Sequence, residues 1–232
     1  MTDPALTPEF ARQARLAGML YLLIIVAGLG AELGLRGPLI DLGDAAGTAE
    51  AILAAPGQFR LAIVADLVMA LSDAGLAILL YLIFRAASPG LALSAMVFRL
   101  IQTVLVAANL MVLQAAWLLI SGPNELVDAN ALALVFLDLH GHGYDLGLIF
   151  FGVNSLIMGL LVWRSGHFAK VFGAGLAIAG LVYLIGSGLR FFSPEWSQAF
   201  VPAYLLTILA ETAFCIRLLF QRNSHRERNA VA

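Results

Sequence analysis

Six runs of apolar residues, each long enough to cross a bilayer, constrain this chain more than any other feature. A hydrocarbon core about 30 Å thick needs about 20 mostly apolar residues per helix, since each residue advances about 1.5 Å. The runs are about Leu16 to Leu35, Leu61 to Phe84, Leu91 to Ile120, Tyr144 to Trp163, Val171 to Phe191 and Val201 to Phe220. Backbone groups find no water in lipid, so helices are the expected form. With 61% hydrophobic and 12% charged residues, the chain is far from the roughly half and quarter of a soluble domain. The expected fold class is an all-α membrane protein, a six-transmembrane-helix bundle. The runs use up nearly all of residues 1–232, which therefore read as a single transmembrane domain in contact with the lipid bilayer.

Arg12 and Arg15 precede the first run as they would a signal peptide, but the apolar core is too long and no small-residue cleavage site follows it. It is expected as a retained helix. A net charge of −2 offers no basic face for nucleic acid, and no phosphate-binding glycine loop follows a strand pattern. The single cysteine, Cys215, lies in an apolar run, which excludes an internal disulfide and reads as packing.

Basic residues beside the runs set the orientation. Arg12, Arg15, Arg85, Arg164, Lys170, Arg217, Arg222, Arg226 and Arg228 fall on one side, and Arg36, Arg60 and Arg190 on the other. Both termini thus read as cytoplasmic, and twelve arginines to one lysine point to a GC-rich bacterium, hence a bacterial cytoplasmic membrane. The outer loops carry Asp41, Asp44, Glu50, Glu125, Asp128 and Glu195. Short amphipathic helices are expected in two of them, one headed by Asp44 and ending at Pro56-Gly57, the other headed by Asn124 and lying on the membrane surface to about His140. Glycines of the fifth run, among them Gly173, Gly180 and Gly186, form small-residue faces for close helix packing. Trp163, Tyr183 and Trp196 read as interface anchors or packing.

Alternating span direction brings distant polar residues to one depth. Asp73, Arg99, Gln102, Asn154 and Glu211 form an expected midplane layer, and Glu32, Asp66, Asn109, Asp138, His140, His142 and Asp145 an outer one. Asp66 and Asp73 share a helical face, as do Arg99, Gln102 and Asn109. Facing them to lipid costs several kcal/mol each, about 2.5–3.5 on insertion scales, so they are expected to line a polar cavity open to the outside. Arg99 pairs with Asp73 or Glu211, and the remaining carboxylate takes a proton or a cation. The plainer alternative is that Arg99 and Glu211 lock the third and sixth spans in register.

The segment Asp138–Asn154, DLHGHGYDLGLIFFGVN, concentrates titratable groups where a span begins. Asp138, His142 and Asp145 fall on one helical face, and His140, Tyr144 and Asn154 on another; a break at Gly141 and Gly143 is expected to fold the two sets together. Such an Asp/His set has the donor types of a divalent metal site, although its spacing matches no specific motif.

Four segments, RLAGMLYLLIIVAGLGAEL (Arg15 to Leu33), FRL (Phe98 to Leu100), LDLHGHGYDLGLIFFGVN (Leu137 to Asn154) and LAETAFCIRLLFQ (Leu209 to Gln221), resemble a bacterial membrane family catalogued as domain of unknown function four-three-eight-six. The resemblance extends over essentially the whole chain. It implies a compact six-span bundle with no assigned activity, and it favours Arg99 and Glu211 as residues that matter. Asn154 stands where the resemblance expects histidine, which argues against a metal site built there.

These observations favour a non-enzymatic membrane protein that binds or moves a small solute, proton or cation, with Asp66, Asp73, Arg99, Gln102, Asn154, Glu211, Glu32, His140, Tyr144 and Asp145 as the binding set and no cofactor. Two alternatives stay open. One is an intramembrane metal-dependent hydrolase of a lipid-like substrate, using Asp138, His140, His142 and Asp145. The other is a structural or regulatory partner, including a possible oligomer, that takes no ligand.

Overall fold

A computed structural model describes residues 7–123 and 128–221, and among these residues there is no strand. Six helices are long and apolar enough to cross a membrane. Helix α1 (Pro8–Leu29) starts where the Thr7 hydroxyl accepts from the Phe10 amide at 3.2 Å, with proline at the first turn. It continues through a π-helical stretch, Gly30–Arg36, and a short 3-10 turn, Gly37–Leu39. Asp44 caps α2 (Ala45–Ala54) through the Gly47 amide at 2.8 Å, and Pro56 opens α3 (Pro56–Phe84). Pro89 likewise opens α4 (Pro89–Ser121). Then follow α5 (Ala129–Ser165), α6 (Lys170–Phe192), a single turn α7 (Ser197–Phe200) and α8 (Tyr204–Leu219).

The expected surface helix and fourth span are one element. Asp128, whose carboxylate accepts from the Ala131 amide, caps a 37-residue α5 that ends at Gly166 with φ of 69°. At about 1.5 Å per residue, α5 is about 55 Å long, more than the whole bilayer thickness. Its first turns pack into the bundle, where Ala133 and Leu137 are buried with Ile52, Phe59, Leu113 and Ile120. Nor does the helix break at Gly141 or Gly143. Asn124 and Glu125, and at the other end Arg222, His225, Arg226 and Arg228, lie outside the described residues.

The six long helices close a ring in chain order, α1 on α3, α3 on α4, α4 on α5, α5 on α6, α6 on α8, and α8 back on α1. Two apolar clusters plug it. One, at the end carrying the α3–α4 and α5–α6 turns (the turn end), contains Phe10, Phe84, Leu161, Phe168, Phe214 and Leu218. The other lies at the opposite end, which carries the α1–α2 connection (the loop end), and is the one α5 joins. Large apolar side chains such as Leu71, Val104, Met111 and Leu209 point outward, as a lipid-facing surface requires. The small-residue face of α6 works as expected: a Cβ at Gly180 would come 2.7 Å from the Gly152 carbonyl oxygen, and one at Gly159 2.6 Å from that of Gly173. Cys215 is buried with its Sγ 3.3 Å from the Gly18 carbonyl, a packing position between α8 and α1.

Candidate functional site

The polar residues form three charged clusters, two toward the loop end and one at mid-bundle, and each contains two carboxylates and one guanidinium. At the loop end, Arg36 contacts Asp66 Oδ2 and Glu32 Oε2, both at 2.5 Å. The sequence places Arg36 in a flanking loop; the wide π-helical turn carries it back over the bundle, where it is 4% exposed. The Tyr144 hydroxyl contacts the Met69 sulfur at 3.7 Å and its ring lies 6.4 Å from that of His140.

The second cluster joins α5 to α6. Arg190 reaches Asp138 at 3.0 Å and Asp145 at 3.1 Å, and Ser187 donates to Asp145 at 3.3 Å. His142 lies 3.6 Å from the Asp138 carboxylate, with its ring against Phe191. His140 is on the other side of α5, buried, with its backbone carbonyl accepting from Asn109 at 2.7 Å. The four residues expected to share a metal are thus divided between two neighbourhoods, because α5 stays helical. Arg190 is the cation that the two aspartates hold. Among the described residues no group of three or more His, Cys, Asp or Glu is placed to bind a metal ion.

Gly141 and Gly143, expected to break the helix, instead make room. A Cβ at Gly141 would come 2.6 Å from Arg190 Nη2, and one at Gly143 would run into the Asn109 side chain. Each glycine therefore admits a polar group from a neighbouring helix.

The third cluster lies at mid-bundle. Arg99 gives its Nε to Asp73 Oδ1 at 2.7 Å, with Nη2 2.5 Å from the same oxygen. The pairing is therefore one-oxygen rather than bidentate, and the free oxygen, Oδ2, accepts from Thr103 at 2.6 Å. Arg99 is also sandwiched between Tyr21 and Phe151, its Cζ 5.4 and 5.0 Å from the ring centres. Asp73 and Arg99 thus settle which carboxylate the guanidinium takes. Glu211 is the one left over. Its carboxylate accepts from the Tyr183 hydroxyl at 2.7 Å, and Tyr21, Asp73 and Arg99 stand around it. Tyr183, read from sequence as an anchor or packing residue, is its direct partner.

Asn154 and Gln102 play lesser parts. With its nitrogen turned toward α4, the Asn154 amide donates to the Ala95 carbonyl at 3.0 Å and ties α5 to α4. Gln102 is buried against Gly147, with its Oε1 unpartnered. Among the described residues, Arg36 and Arg190 bind the carboxylates expected to line a cavity open at the loop end. The void at Arg99 holds about 10 Å³, between Tyr21, Asn154, Ser155 and Phe214. A narrow crevice beside it, lined by Leu80, Tyr81, Ala92 and Ala95, lies between Arg99 and the turn end.

A further polar strip joins α6 to α8. Tyr183, Ser187 and Arg190 recur at i, i+4 and i+7 on α6; Tyr204, Thr207 and Glu211 recur at i, i+3 and i+7 on α8. The two faces meet: Tyr183 donates across them to Glu211 at 2.7 Å, Thr207 donates to the Tyr204 carbonyl at 2.8 Å, and the Tyr183 and Tyr204 ring centres lie 6.0 Å apart. That spacing is the signal that would have found them.

Fold and clusters together define an all-helical membrane protein with six candidate spanning helices and a charged core. Residues 16–221 match the family described as Domain of unknown function (DUF4386), and the chain belongs to that family. It is also similar to an uncharacterized protein of Archaeoglobus fulgidus, 47% identical over 47 residues, which are 20% of this chain and 29% of that protein. The chain therefore spans under a third of that relative's length. No solved structure matches it.

Proposed function

We propose that this protein is a non-enzymatic membrane protein that binds and exchanges a proton at Glu211, as part of proton or small-cation movement across a bacterial cytoplasmic membrane. The observation that carries this reading is the position of Glu211: 8% exposed, with its nearest guanidinium held by Asp73 and a phenol as its hydrogen-bond partner. A buried carboxylate without a cation on it is costly as an anion, so it is neutralised by a proton or a small cation. Size selects between solutes. Pockets for organic ligands measure about 300–1,000 Å³, whereas the void beside Arg99 is about 10 Å³, room for one water at most. A water-sized species fits that void, and an organic solute does not.

The remaining assignments belong to the same reading. Residues 1–232 act as one transmembrane domain. The turn end, with Arg12, Arg15, Arg85, Arg164, Lys170 and Arg217, faces the cytoplasm, as do both termini. The ion-paired clusters of Arg36 and Arg190 then form the outer rim.

The test is proton flux into proteoliposomes carrying a trapped pH dye, driven by an imposed potential. Wild-type protein is expected to acidify or alkalinise the lumen according to the sign of the potential, and Glu211→Gln to abolish the flux. Equal flux in the two proteins, or none in either, overturns the proposal.

A further inference from the structure

We propose that the seam between α6 and α8 is the path by which protons pass between the loop end and Glu211, an inference that rests on Glu211 exchanging a proton. Four side-chain hydroxyls lie along this seam, in two pairs. Nearest Glu211 are Tyr183, which donates to its carboxylate at 2.7 Å, and Thr207, four residues before Glu211 on α8, whose hydroxyl donates to the Tyr204 carbonyl at 2.8 Å. Nearest the rim are Tyr204, whose hydroxyl lies against Gly186, and Ser187, which donates to Asp145 at 3.3 Å. Asp145 is held in turn by Arg190, which also holds Asp138, a residue whose side chain is 46% exposed and so reaches the surface.

The arrangement is built rather than incidental. Ser187 and Thr207 are almost fully buried, while the neighbouring positions Leu181, Ile185, Leu205 and Leu209 face outward. Every hydroxyl of the strip is thereby collected in the helix interface. The Tyr204 hydroxyl sits where a Cβ at position 186 would collide with it, so Gly186 is what lets the phenol reach the backbone beside Ser187. Packing alone does not require a phenol oxygen at that point.

A hydroxyl both donates and accepts, so it takes a proton on its lone pair while releasing its own. One proton taken up from the Asp145 side thus delivers one proton to the Glu211 carboxylate, and each hydroxyl ends with the number it began with. Four residues, about 6 Å of helix rise, separate Tyr183 from Ser187, and the proposed path crosses that step through one water. The titratable groups facing Glu211 are Tyr21 from α1, Asp73 from α3, Arg99 from α4 and Tyr183 from α6. Those facing Asp145 are Arg190, His142, Tyr204 from α8 and, from the other rim cluster, Glu32. Neither Ser187 nor Tyr204 touches Glu211, which makes them the informative positions to change.

The experiment is hydrogen–deuterium exchange of the Glu211 carboxyl, followed by infrared spectroscopy on the full chain in lipid nanodiscs and identified as the band lost in Glu211→Gln. Tyr204→Phe and Ser187→Ala are expected to slow that exchange by about 100-fold, the lower end of what a positioned proton-transfer group contributes, and Ser187→Thr to restore it. Should Tyr204→Phe fail to assemble, Ser187→Ala alone, which removes one oxygen, gives the answer. An unchanged exchange rate overturns the seam while leaving Glu211 as a proton site. A spectrum with no band dependent on Glu211 overturns the proposed function, and the seam with it.

Discussion

The rim clusters and the mid-bundle cluster have the same inventory and opposite solutions. At the rim, Arg36 contacts both Glu32 and Asp66, and Arg190 both Asp138 and Asp145. At mid-bundle, Arg99 is bound to Asp73 alone, and Glu211 is left with a phenol. The surplus negative charge also has a different fate. Glu32 has a side chain 61% exposed and Asp138 one 46% exposed, so solvent and headgroups screen them, whereas Glu211 is buried. Equal charge counts therefore teach little; whether the second carboxylate can reach water decides whether its charge is screened or must be neutralised inside the bundle.

The largest expected effect separates Asp73 from Glu211. Replacing Asp73 by Asn strands Arg99 and is expected to cost about 3–5 kcal/mol, measured as the fall in stability to unfolding in detergent. Glu211→Gln retains an acceptor for the Tyr183 hydroxyl and is expected to change stability by no more than about 1 kcal/mol. Equal costs for the two would mean that Arg99 is shared between both carboxylates, and the contrast with the rim would vanish.

Gly143→Ala comes next, at about 1–3 kcal/mol, because the new methyl displaces Asn109 from the α4–α5 interface. A helix-breaking role would give the opposite sign, since alanine favours a helix by about 1 kcal/mol over glycine. Gly141→Ala meets only the flexible end of Arg190 and is expected to cost less than its neighbour, with a rank order readable from the same unfolding curves. The smallest effect belongs to Glu32→Gln, within about 1 kcal/mol, as for other exposed ion pairs. A loss near that of Asp73→Asn would show that the rim is as dry as the mid-bundle.

Much of the site was legible because charge inside an apolar run is rare enough to stand out. Asp73, Arg99 and Glu211 could be placed at one depth from span direction alone. The partners were harder to see. Arg36 and Arg190 sit at the ends of runs, where arginine ordinarily meets headgroups, and only a π-helical turn and the α5–α6 packing reveal that they turn inward. Hydroxyls such as Ser187 and Thr207 scarcely disturb a hydropathy pattern, so nothing local marks them. Gly141 and Gly143 were misread because glycine weakens an isolated helix, whereas here close neighbours need the space.

What the sequence determined by itself is the class of molecule: six long apolar segments, a basic excess beside one set of their ends, and a few charges too deep to face lipid. These follow from length and solvation, which are properties of each segment alone. Tertiary structure decided the rest, namely that α5 is one helix, that Arg99 goes to Asp73, and that the hydroxyls of α6 and α8 face one another beside Glu211. Those outcomes depend on the rotation of each helix against its neighbours, and rotation is set by packing in three dimensions, where a side chain's partner lies tens or hundreds of residues away.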